Sequence, residues 1–130
     1  MNTLLLDSHA VLWSFDRPDL LSRKARLAIE SGANRVLVSA VSVYELTYKH
    51  RLGSLDQAGP LLADLSAWMA DKMFERLDVT SEHAAAAGQL DPRHRDPFDR
   101  LLMAQALVED MELVSNEKLF ESFGVRCVWR

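Results

Sequence analysis

Four acidic side chains stand where the chain could assemble a reactive site. Asp7 follows the apolar run Thr3-Leu4-Leu5-Leu6, Glu45 lies in the segment after Val36 to Ser39, Asp99 follows Pro97 by two positions, and Glu117 comes just after Leu113 to Ser115. Carboxylates gathered in one crevice repel one another and force protons onto some of their number, unless a divalent cation removes the conflict. Oxygen donors without a Cys or His cluster favour Mg2+ or Mn2+ over Zn2+. Such an ion polarises a phosphoryl oxygen, orients a phosphodiester and lowers the pKa of an attacking water, which is chemistry without a protein nucleophile.

Each carboxylate also has an ordinary local use. Asp7 is placed to cap the turn that begins at Ser8, and Glu45 to pair with Lys49 one helical turn on. Val41, Tyr44, Tyr48 and Leu52 recur at helical spacing, however, and Glu45 falls within that stripe, where a charge needs a partner or a metal. Asp96 is the natural N-cap before Pro97, while Asp99 shares a face with Leu102, Met103 and Ala106 and should point inward. Glu117 also reads as a first-turn acid of a short helix after Asn116. His9, Arg95 and Arg100 are the candidates to touch a substrate, with local packing or capping as the alternative for His9 and a solvated loop or helix end for the two arginines.

Positioning these groups requires an alternation of short apolar strands and helices. Strands are expected at Thr3 to Leu6, Val36 to Ser39, Phe74 to Val79, Leu113 to Ser115 and Val125 to Trp129. Helices are expected at Ser22 to Glu30, Val41 to Leu52, a segment opened by Pro60, Ser81 to Leu90 and Pro97 to Asp110. This order predicts a three-layer α/β sandwich, with about five short, mainly parallel strands and helices on both faces. With 130 residues, 48% of them hydrophobic, a single domain over 1–130 is expected. The lone Cys127, the start Met1-Asn2-Thr3 without a basic flank, and the lack of a run of about 20 apolar residues point to a cytoplasmic protein with no membrane attachment. Trp13, Trp68, Met69 and Met73 read as core. The net charge of -4 argues against a broad phosphate-binding surface, an objection that cations bound at an acidic site would answer locally.

Three stretches carry a resemblance: Leu4-Leu5-Leu6-Asp7-Ser8-His9-Ala10-Val11-Leu12-Trp13, Ser39-Ala40-Val41-Ser42-Val43-Tyr44-Glu45-Leu46, and Arg95-Asp96-Pro97-Phe98-Asp99-Arg100-Leu101-Leu102-Met103-Ala104-Gln105-Ala106. A weaker fourth is Leu113-Val114-Ser115-Asn116-Glu117. In this order they resemble the PIN domain, and within it the VapC-type toxins of bacterial toxin–antitoxin pairs. The resemblance implies an Mg2+- or Mn2+-dependent endoribonuclease with Asp7, Glu45 and Asp99 as metal ligands and Glu117 as a fourth catalytic acid. Asp96, Ser115 and Asn116 would support them. It also implies an RNA substrate, a second copy of the chain and a small antitoxin. Glu117 departs from the Asp usual at its position, which lengthens its reach by about one methylene. A haloacid-dehalogenase-like phosphatase would need Asp where His9 stands, and neither a phosphate-binding G-x-x-x-x-G-K-[ST] loop nor a G-x-S-x-G elbow occurs. The reading that stays open beside the nuclease is a catalytically silent PIN-like module that binds RNA or serves as a scaffold.

Overall fold

The computed structural model describes residues 1–130. Five strands form one sheet: β1 (Thr3–Leu6), β2 (Arg35–Ser39), β3 (Glu75–Leu77), β4 (Glu112–Val114) and β5 (Cys127–Val128). All four pairings are parallel and the order is β3-β2-β1-β4-β5. β3 and β5 are shorter than the apolar runs suggested, because Phe74 and Val125 pack into the cores without joining the ladder. β1 is central: Leu5 faces Leu37 on one side and Leu113 on the other. From β1 the chain moves outward to β2 and β3, then returns to β4 on the opposite side. The carboxyl ends of β1 and β4 thus flank the point where the connections diverge, which is where open parallel sheets leave a crevice.

Seven α-helices cover the sheet: α1 (Ser8–Asp16), α2 (Arg23–Glu30), α3 (Ala40–Arg51), α4 (Ala58–Ala63), α5 (Leu65–Lys72), α6 (Ser81–Gln89) and α7 (Pro97–Val108). Strand residues alternate between two layers. Leu4, Leu6, Val36, Val38 and Val114 pack with Ala10, Val11, Ile29, Leu46, Leu61 and Trp68, whereas Leu5, Leu37 and Leu113 pack with Val41, Leu102, Met103, Ala106 and Phe120. The three-layer sandwich expected from the sequence is present.

Some local expectations are corrected. The turn expected at Ser8 is the helix α1, whose Ala10, Val11 and Leu12 are all buried. A helix wedged between a sheet and other helices buries consecutive positions and so shows no one-sided period. The Pro60 segment is two helices, with Pro60 in the first turn of α4, where its missing N–H costs nothing. Met73, read as core, is exposed at the left-handed end of α5. The apolar stripe assigned to α3 is also wrong: Tyr44, Tyr48 and Leu52 are exposed, and the buried face is Val41, Ser42, Glu45 and Leu46.

Because Leu5 fills the layer under α7 with no exposed surface, Leu5→Ala is expected to destabilise the protein by about 2–5 kcal/mol. Urea denaturation followed by circular dichroism measures it.

Candidate active site

Asp7 is the residue after β1, and both ends of it are engaged. Its N–H donates to Val114 O at 3.1 Å, extending the β1–β4 ladder by one bond. Its Oδ1 accepts the Ala10 N–H at 2.8 Å and caps α1. Burial pushes this carboxyl above its ordinary pKa; the side chain of Ser115, the Ala10 amide and His9 oppose the rise, and the charge of Glu45 adds to it.

Glu45 reaches the same place from α3. Ser8 Oγ donates to its Oε1 at 2.5 Å and lies 3.2 Å from Ser42 Oγ, while Lys49 Nζ donates to Oε2 at 2.6 Å. The Glu45 side chain is 8% exposed and that of Lys49 41% exposed, so the ammonium covers a carboxylate that is otherwise enclosed. α3 is tied to α7 at its start. Ser39 Oγ accepts the Val41 N–H and donates to Oε1 of the buried Gln105 at 2.6 Å, and Gln105 Nε2 lies against Asp78 O and the enclosed His83.

Asp99 enters from the first turn of α7. Asp96 caps that helix, accepting the amides of Phe98 at 2.9 Å and Asp99 at 3.3 Å, and Pro97 occupies the first helical position. Asp99 Oδ2 pairs with His94 Nε2 at 3.0 Å, and the His94 ring is set between Phe120 and Phe123. Burial pushes the Asp99 carboxyl up to about 6; the His94 hydrogen bond opposes this, while the charges of Asp96 and Glu45 reinforce it. Arg100 points elsewhere. Its guanidinium donates to the carbonyls of Ala87, Leu90, Asp91 and His94, closing the end of α6 and binding the following loop. The substrate contact suggested for Arg100 is therefore replaced by a structural clamp.

Beyond β4, buried Ser115 accepts the Glu117 N–H through Oγ, and Glu117 Oε1 accepts the Leu119 N–H, capping the 3-10 turn Lys118–Phe123. Glu117, foreseen as a first-turn acid of a short helix, is instead the residue that caps it, and Glu121 is the acid of the first turn. A cleft of about 250 Å³ collects Asp7, His9, Glu45, Asp96, Asp99, Asn116 and Glu117, with Ser8, Lys49 and Phe120 completing its walls. Arg95 is exposed outside that lining. His9 stacks on Trp13 with ring centroids 5.2 Å apart. Five carboxylates in one small cleft, two of them strained by burial, form an all-oxygen donor set suited to a hard divalent cation. The acidic side chains line the cleft without three of them, or of His or Cys, closing on one point, and Asp7, Glu45, Asp99 and Glu117 are each bonded within the chain.

The PIN domain family model matches residues 4–125 of the chain. The chain belongs to the PIN domain family. A curated member, Ribonuclease VapC22 of Mycobacterium tuberculosis (strain ATCC 25618 / H37Rv), is 33% identical over 123 residues, covering 94% of this chain and 92% of the relative. Among solved structures, VapBC2 from Rickettsia felis bound to a DNA fragment from their promoter superposes with a TM-score of 0.71 at 16% identity, covering 96% of each chain. FitAcB from Neisseria gonorrhoeae gives a TM-score of 0.65 at 20% identity, covering 95% of each. These likenesses carry the PIN fold. The sequence reading of this PIN domain gave one support of the site, the pairing of Lys49 with Glu45, and missed two others. Ser8 sat beside Asp7 without a signal, and the pairing of His94 with Asp99 depends on a loop path that spacing does not encode.

The raised pKa of Asp99 has a consequence for the metal-free protein. The native state holds the Asp99 proton more tightly than the unfolded chain does, so the stability this group contributes is complete below about pH 4 and is lost as pH rises through about 6. Above that value Asp99→Asn is expected to raise stability in a chelator, by at most about 3 kcal/mol, and to have no such effect near pH 4. Urea denaturation of both proteins across pH 4–8 gives the comparison.

Proposed function

We propose that the chain is a single PIN-like domain acting as an Mg2+- or Mn2+-dependent endoribonuclease, the toxin of a type II toxin–antitoxin pair. The observation that carries this reading is the cleft at the carboxyl ends of β1 and β4, which Asp7, Glu45 and Asp99 all line. The identity to Ribonuclease VapC22 supports the choice of RNA phosphodiester bonds. Asp7, Glu45 and Asp99 would hold the cation, which when bound supplies a Lewis acid at the phosphoryl oxygen and a more acidic water.

The other residues act on geometry and access. Ser8 fixes Glu45, His94 fixes Asp99, and Asp96 sets the start of α7 so that Asp99 faces the cleft. Ser115 holds the turn that brings Asn116 and Glu117 to the rim, where Glu117 serves as a fourth acid. His9 at the rim of the cleft and the exposed Arg95 outside it would meet the RNA backbone. No helix is long and apolar enough to cross a membrane, and we place the protein in the cytoplasm with its RNA and a cognate antitoxin. An antitoxin Arg entering the cleft would neutralise the carboxylates in place of metal.

A fluorophore–quencher RNA assay tests the activity. Wild type should cleave with Mg2+ or Mn2+ and not in chelator, and Asp7→Asn and Asp99→Asn should each reduce the rate on the order of 100-fold or more. Cleavage that persists in both variants overturns the reading, and RNA binding without cleavage would identify a silent binding module.

A second copy has a suitable surface. Tyr44 and Tyr48 are 61% and 46% exposed, with Tyr44 also 5.5 Å from the Phe98 ring, and Val79, Pro97 and Leu101 extend the same apolar patch. Exposed aromatic patches of this kind are typical interface cores. Light scattering coupled to size exclusion should show a dimer for wild type and a monomer for Tyr44→Lys.

A further inference from the structure

Lys49 supplies the only Lys or Arg side chain among the residues lining the acidic cleft, facing Asp7, Glu45, Asp96, Asp99 and Glu117. It does more than balance an exposed helix pair. Its Nζ lies 2.6 Å from Glu45 Oε2, on the one oxygen of that enclosed carboxylate that Ser8 leaves free. We propose that the Lys49 ammonium is a built-in counter-ion that occupies the cation position of the metal-free cleft, so that a divalent ion must displace it from Glu45 in order to bind.

The two donors to Glu45 differ in their freedom to leave. Ser8 is buried in the first turn of α1, fixed by the helix that Asp7 caps. Lys49 sits on a flexible four-carbon stem, 41% exposed, and can swing into solvent without disturbing α3. Its charge also interacts with Asp96 and Asp99, so the ammonium offsets two further carboxylates of the cleft besides Glu45. An ammonium and a divalent ion on one carboxylate oxygen repel strongly in an enclosed site. Exchange of the two therefore keeps the cleft near one charge state, and the intramolecular competitor lowers metal affinity by the free energy needed to expel it.

This inference rests on the cleft being a divalent-cation site, and Mn2+ titration of the RNA-free protein by calorimetry separates the two claims. Lys49→Met retains most of the stem and removes the charge. It should bind Mn2+ about tenfold more tightly than wild type, and Asp7→Asn should lose binding. Without metal, Lys49→Met should melt at a lower temperature than wild type, and Mn2+ should raise its melting temperature by more. Equal or weaker Mn2+ binding by Lys49→Met, with binding still lost in Asp7→Asn, overturns the role of Lys49 and leaves the metal site standing. Absence of Mn2+ binding in wild type and Lys49→Met alike overturns both. If the variant is unstable and Mn2+ fails to restore it, the displacement role is likewise overturned.

Discussion

The hydrogen bonds of one residue, Asp7, hold the arrangement in register. Its amide extends the β1–β4 ladder while its carboxylate starts α1, so a single position defines where the central strand stops, where the first helix begins and where the crevice opens. Fully buried strand residues on both sides of it leave no slack for β1 to slide. α1 in turn brings Ser8 under Glu45, which fixes the second carboxylate relative to the first. Displacing Asp7 by one residue would move every one of these contacts.

The site is therefore assembled at a cost in stability. Burial and mutual repulsion raise the pKa of Asp7 and of Asp99, and the chain offsets that with local donors: the Ser115 side chain and the Ala10 amide for Asp7, and His94 for Asp99. Well-packed layers on both faces of the sheet supply the surplus. Acidic clusters that would be disfavoured in a structural core are the expected place for such strain in a protein whose function needs concentrated negative charge. The link from Ser39 through Gln105 then keeps α3 and α7, the carriers of Glu45 and Asp99, from drifting apart.

Much of this was legible in the sequence because strands end and helices begin with local signals. The apolar run before Asp7 and the pair Asp96-Pro97 state their roles within a few residues. The burial of Glu45 was inferred correctly from the wrong neighbours, since Ser42 looks polar yet belongs to the buried face and Tyr44 looks apolar yet lies outside it. Side-chain chemistry alone could not sort the two, because Ser42 is satisfied by Ser8 across a helix pair. α1 was missed for the opposite reason: enclosed on several sides, it has no polar face to set its period. The placement of His94 depends on Arg100 gathering four carbonyls from α6 and its loop, an arrangement among distant residues for which no spacing rule exists.

The strand order also fixes a sequence of events in time. β1 is the first strand to be synthesised, yet one of its two neighbours is β4, near the end of the chain, and the residues that follow β4 form the last wall of the cleft. Pairing of distant segments is the slow part of folding, and here it waits on a strand that follows β1 by more than a hundred residues. The first carboxylate is thus made well before the wall that Asn116 and Glu117 supply, and the two are joined by the longest-range pairing of the sheet, β1 with β4.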